Sequence, residues 1–203
     1  MSPRAAGEAG FTLLELLLGC LLGTLVVVAG VELLRVHVGV ARRLQTQLAS
    51  VGGTAWALSI AARDAQLAGG DPTRSGLEAL GAASRERLIL DADRDASGVV
   101  DANSAERVTL AWSSSSGGRF VRWLGNQSIS IASQVESGGL RLRYLDAAGS
   151  EIPTSGSADL AAGDRARVRC VALELDVIER AGVLEARCGL RGAAALRMRL
   201  EER

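Results

Sequence analysis

From Leu16 to Val31 the chain is almost wholly apolar and no charged residue interrupts it. A helix over Phe11 to Leu34 rises roughly 36 Å at about 1.5 Å per residue, enough to cross a hydrocarbon core of about 30 Å. Beyond it Val36, Val40, Leu44 and Leu48 recur every four residues, and the pattern resumes at Trp56, Ile60 and Leu67. This spacing predicts an amphipathic continuation of the same helix. Gly69-Gly70 should end it, because Asp71-Pro72 cannot carry it further. Each glycine of Gly52-Gly53 costs about 1 kcal/mol relative to alanine inside a helix, so the pair predicts a bend or softening unless packing holds the helix straight.

The periodicity then changes. β-rich or alternating runs occupy Glu86 to Leu90, Glu106 to Trp112, Arg119 to Leu124, Ser128 to Val135, Leu140 to Leu145, Ala166 to Ile178 and Val183 to Leu190. Turn residues separate them at Ser113 to Gly118, Gly125-Asn126, Gly138-Gly139, Asp146 to Gly149 and Arg180 to Gly182. Short strands joined by tight turns predict a mostly antiparallel sheet, and a long helix packed on it makes the fold α+β. About 130 residues follow the helix, enough for one modest domain with its own core.

One carboxylate stands out against this pattern. Glu15 lies at the lip of the apolar run, where burial in lipid without a partner costs about 2.5–3.5 kcal/mol on insertion scales. The residues around it, Gly10-Phe11-Thr12-Leu13-Leu14-Glu15, resemble the N-terminus of type IV prepilins and type II secretion pseudopilins. In that family a membrane-embedded prepilin peptidase cuts after the glycine and methylates the new N-terminus. The resemblance implies a leader over residues 1–10, cleavage between Gly10 and Phe11, N-methylation of Phe11, and a role for Glu15 in assembly. Cleavage creates an ammonium at Phe11 that Glu15 of a neighbouring subunit neutralises as helices stack with an axial offset, which sets register.

A secretory signal peptide places its apolar run before the cut, whereas here the run follows it. The implied layout is a membrane-spanning segment over 11–34, an amphipathic half-helix over 35–70, and an extracytoplasmic β-rich domain over 71–203. Arg4 on one side and Arg35, Arg42 and Arg43 on the other would put the N-terminus outside by a positive-inside count. The resemblance puts it inside, with the chain held in the bacterial cytoplasmic membrane. Glu106-Arg107-Val108-Thr109-Leu110, Leu140-Arg141-Leu142-Arg143-Tyr144 and Arg167 to Val177 loosely resemble PilW-type minor pilins and J-type minor pseudopilins. The expected partners are the prepilin peptidase, the membrane, and other major and minor pilins or pseudopilins. A membrane-anchored module that binds DNA or calcium without polymerising is the alternative.

Composition narrows the rest. Basic and acidic residues number 23 each, so no net field draws the chain to nucleic acid. Every basic residue is arginine, which reads as coding bias. Arg119-Phe120-Val121-Arg122-Trp123 interleaves cations and rings as single-strand binders do, yet strand alternation explains it equally, with Phe120 and Arg122 on one face and Arg119, Val121 and Trp123 on the other.

Asp91, Asp93 and Asp95, with Asp101 beyond them, place several oxygen ligands in one loop and suggest calcium. The loop departs from the EF-hand pattern: Ala96 replaces the turn glycine and Ala102 the twelfth-position glutamate, leaving Asp101 or Glu106 to complete a shell. Cys20 lies in the apolar run, while Cys170 and Cys188 fall in the β-rich domain where a disulfide would persist. In a simple hairpin turning at Arg180 to Gly182 the two sit on opposite faces, so a bridge needs a bulge or another register. The single histidine, His37, is remote from the acidic loop, and no nucleophile motif accompanies these carboxylates, so the chain reads as no enzyme.

Overall fold

The computed structural model describes residues 12–155, 157–181 and 184–196, with the backbone alone at residues 116, 179–181 and 184–186. Helix α1 (Leu13–Leu67) is followed by β1 (Leu80–Ala83), β2 (Arg87–Asp91), β3 (Arg107–Ser113), β4 (Arg119–Leu124), β5 (Gln127–Ser133), β6 (Val135–Leu145), β7 (Glu151–Ile152), helix α2 (Ala162–Arg167), β8 (Cys170–Ala181) and β9 (Leu184–Ala195). The chain divides into two compact units, residues 1–44 and 45–203. In the first, every residue from Thr12 to Val38 is exposed. The best window of α1 has a mean hydropathy of 2.3, and the helix is long and apolar enough to cross a membrane.

The second unit is α+β: the C-terminal part of α1 packs on two antiparallel sheets. One sheet runs β1-β2-β3-β4-β5, the other β7-β6-β8-β9. Helix residues Ser50, Thr54, Ala57, Ala61, Asp64 and Ala65 are buried, and their spacing of three and four puts them on one face. That face differs from the stripe the sequence predicts. Trp56 and Leu67 remain 55% and 41% exposed, and a row of alanines, Ala57, Ala61, Ala65 and Ala68, enters the core instead. The short alanine side chain lets the helix axis approach both sheets, whose own Leu88, Leu110, Phe120, Leu142, Tyr144 and Leu175 supply the bulk.

Gly52-Gly53 is helical, without a break in α1. The helix ends at Leu67, and Gly69 takes a φ of 76° to turn the chain away. Within the sheets the expected strands need four adjustments. β1 precedes the first predicted run, and its Leu-Gly-Ala-Ala sequence carries no alternation to reveal it. Ser128 to Val135 is not one strand: Gln134 adopts φ 57°, and the chain leaves the first sheet there to begin β6 in the second. The short strand β7 closes the Asp146 to Gly149 turn onto β6. Ala166 to Ile178 divides into α2 and β8.

Gly118 shows how tightly the sheets cross. At φ 85°, a Cβ built there would lie 1.9 Å from the carbonyl oxygen of Val135, which also accepts a hydrogen bond of 3.0 Å from Trp112 Nε1. Only glycine allows that approach. Tyr144 reaches across as well, donating its hydroxyl to the carbonyl of Ser84 at 2.7 Å.

Candidate functional site

At the head of α1, Thr12 and Glu15 cap each other. The amide and hydroxyl of Thr12 donate to Glu15 Oε2 at 3.1 and 3.0 Å, and the Glu15 amide donates to Thr12 Oγ1 at 3.3 Å. This is a capping box, which satisfies donors the first helical turn leaves open. The Thr-x-x-Glu spacing is the sequence signature of this cap. Leu13, Leu14, Leu16 and Leu17 around it are all exposed. Gly10 and Phe11, the expected cleavage and methylation residues, lie outside the described residues, as does the leader.

The acidic loop after β2 brings together part of the expected set, Asp93 and Asp95 with Glu106, and leaves Asp91 and Asp101 out of it. Asp91 turns away from the loop and accepts a bidentate pair from Arg107, Nε to Oδ1 at 2.8 Å and Nη2 to Oδ2 at 2.9 Å. The Asp91 carboxylate holds the Arg107 guanidinium above its usual pKa. Gly81 makes room for this pair, since a Cβ there would stand 2.5 Å from Asp91 Oδ2. Asp101 Oδ1 accepts the Asn103 amide at 2.9 Å. The carboxylates that converge are Asp93, Asp95 and Glu106, with one oxygen of each within 4.8 Å of the others.

Amides fill this cluster. Asp93 accepts from the amides of Ser97 and Gly98, and Glu106 from those of Arg94, Asp95 and Asp101. Ala96 at φ 62° and Gly98 at φ 83° bend the loop so that these amides point inward. Hydrogen bonds from Ser97, through its hydroxyl and its amide, hold the Asp95 carboxyl below its ordinary value. The all-oxygen donor set suits a hard cation, but the amide dipoles already offset much of the mutual repulsion of the three carboxylates. The convergence therefore has a sufficient cause in the loop itself.

A second carboxylate ties the preceding turn. Asp71 accepts from the amides of Ser75, Gly76 and Leu77. Against a desolvation contribution that raises it, these donors hold its carboxyl well below the usual range. The Asp93 oxygen shared with Thr73 links this turn to the acidic loop at 3.3 Å.

Cys170 and Cys188 do not form a disulfide. β8 and β9 make the simple hairpin, in which Cys170 pairs with Ala195 and Cys188 with Val177, and both are free. Seven residues of β8 separate the two positions, a distance near 23 Å at the strand rise of about 3.3 Å, against the 4.4–6.8 Å that a disulfide permits. On β4, Phe120 is buried in the core and Arg122 spans to the helix, donating to Asp64 through Nε at 2.5 Å and Nη2 at 2.8 Å. That pairing commits one of the two cations of the basic-aromatic run. His37 Nδ1 bonds the Leu33 carbonyl of its own helix at 2.8 Å. No family model matches this chain, and no curated protein or solved structure matches it either.

Proposed function

We propose that this chain is a minor pilin or pseudopilin subunit, which takes part in initiating or capping a type IV pilus or a type II secretion pseudopilus. The observation that carries the reading is Glu15, the one charged residue in the apolar run from Phe11 to Val31, four positions after Phe11. Prepilin peptidase removes residues 1–10 and methylates Phe11. The helix then holds the subunit in the cytoplasmic membrane, with its β domain outside, until a growing fibre takes it up. Glu15 aligns the incoming helix by pairing with the N-terminal ammonium of a neighbour. Leu48, Val51 and Trp56, exposed on the outward side of α1, support the same reading, because they offer apolar surface to adjacent subunits.

The alternative is an anchored module that binds calcium or DNA and never polymerises. Asp93, Asp95 and Glu106 are what speak for calcium. Intact mass spectrometry of the protein from membranes with and without active prepilin peptidase tests the first reading. The expected mature chain begins at methylated Phe11, and only when the peptidase is present. A chain that keeps residues 1–10, or is cut elsewhere, would overturn it.

A further inference from the structure

The two sheets have four edges, and three are protected. β1 is short and its Ala83 carbonyl accepts the Leu160 amide at 2.7 Å. β7 has two residues, and β9 carries the exposed arginines Arg187 and Arg191. β5 has none of these three devices, and its bulge at Ile131 lies beyond the exposed stretch Gln127 to Ser130. Its sequence, Gln-Ser-Ile-Ser-Ile-Ala-Ser, holds no charge and no proline, and Gln127 to Ser130 are all exposed, with Ile129 at 50%. Among the described residues, its backbone-to-backbone hydrogen bonds run to β4 alone. Natural sheets seldom leave such an edge bare, because its open amides and carbonyls are a template for another strand.

A cavity of about 260 Å³ adjoins the end of this strand, between Ser50 and Gly53 of α1, Ser130 to Ser133 of β5, and Val177 of β8. Ser50 is 4% exposed, and its Oγ is buried there without a hydrogen-bond partner. The neighbouring hydroxyl of Thr54 is already committed to the Ser50 carbonyl at 2.7 Å. A buried hydroxyl left open in this way is rare unless something completes it.

We propose that the free edge of β5 binds an extended, uncharged segment of a different protein by strand addition, with one of its side chains lying in the cavity beside α1. The open ladder requires an extended backbone. The absence of charge along β5 and in the cavity wall selects an uncharged segment, since a lone charge would be desolvated there without a partner. A second copy fits poorly. Antiparallel pairing of two β5 strands about Ser130 would set Ile129 against Ile131, but Ile131 is the extra residue of a bulge in β5 opposite Phe120 and Val121 and is turned into the core, where it is 5% exposed.

This inference does not depend on the pilin reading, and its test leaves that reading untouched. The full chain in detergent is titrated against fluorescein-labelled Ser-Ile-Thr-Ile-Ser-Thr peptide with blocked ends, followed by fluorescence anisotropy. Saturable binding is expected, weakened about tenfold or more by Ile129→Lys or Ser128→Lys, which place a charge on the edge without touching the core. A peptide N-methylated at alternate amides should not bind. No binding by the wild type, equal binding by the lysine variants, or equal binding of the methylated peptide would each overturn the proposal. So would sedimentation showing a β5-dependent dimer that excludes the peptide, since the occupant would then be a second copy.

Discussion

Asp64 and Arg122 are the most heavily committed pair of residues in the β-rich unit. Asp64 is 5% exposed, and its carboxylate is held by both nitrogens that Arg122 presents. Breaking a buried pair by removing one partner leaves the other charge uncompensated, which costs about 3–5 kcal/mol. Asp64→Ala should therefore lower the unfolding free energy by about that much in urea titration, whereas Asp64→Leu with Arg122→Met should recover most of it. A double variant as unstable as the single one would mean that the pair's role is not electrostatic. Sequence alone does not show this pair. Asp64 sits in a run of helix formers and Arg122 in a basic-aromatic strand, and neither suggests the other across 58 positions. The acidic loop teaches the same lesson more locally. Four aspartates were legible as a cluster with Asp101 or Glu106 to complete it, but only folding reveals that Asp91 belongs to Arg107 and that Glu106, not Asp101, stands beside Asp93 and Asp95.

At the scale of elements, α1 was legible almost to its ends, and its buried face was not. Apolar period marks which residues prefer to leave water, but the packing partner decides which of them can. Here two sheets approach closely enough that alanines fill the contact and Trp56 stays outside. Gly52 lies in the same helix, exposed, and a Cβ built there meets nothing within 4 Å. Gly52→Ala should therefore stabilise α1 by about 0.5–1 kcal/mol, read as a shift in the urea midpoint at unchanged slope. A loss of stability would show that the glycine serves a conformation other than this helix. The strand errors have a common cause too. β1 and β7 are too short to alternate, and the break at Gln134 is a backbone turn by a residue that tolerates strands.

For the whole molecule, the proposed assembly turns on one charge in the apolar segment. Glu15→Val removes the carboxylate from an apolar segment, so insertion should be as good or better. The proposed role predicts that the variant accumulates in the membrane at wild-type level, is cleaved by the peptidase, and is lost from sheared fibres or from crosslinked complexes with other pilins. Normal incorporation would favour the anchored-module reading. In the lone subunit Thr12 satisfies Glu15 Oε2 from within its own helix, and the second carboxylate oxygen is the one through which a neighbour's ammonium would pair.

The sequence by itself determined the features that depend on neighbours along the chain. These are the long apolar helix, its stop at the Gly-Gly-Asp-Pro turn and the strand-rich remainder, because period, turn chemistry and side-chain alternation are local properties. Only the tertiary structure decided which helix face is buried, that the strands form two sheets instead of one, which carboxylates converge and which edge is left open. Each of those depends on residues distant in sequence being brought within a few ångströms, and on the size and charge of what already occupies that space.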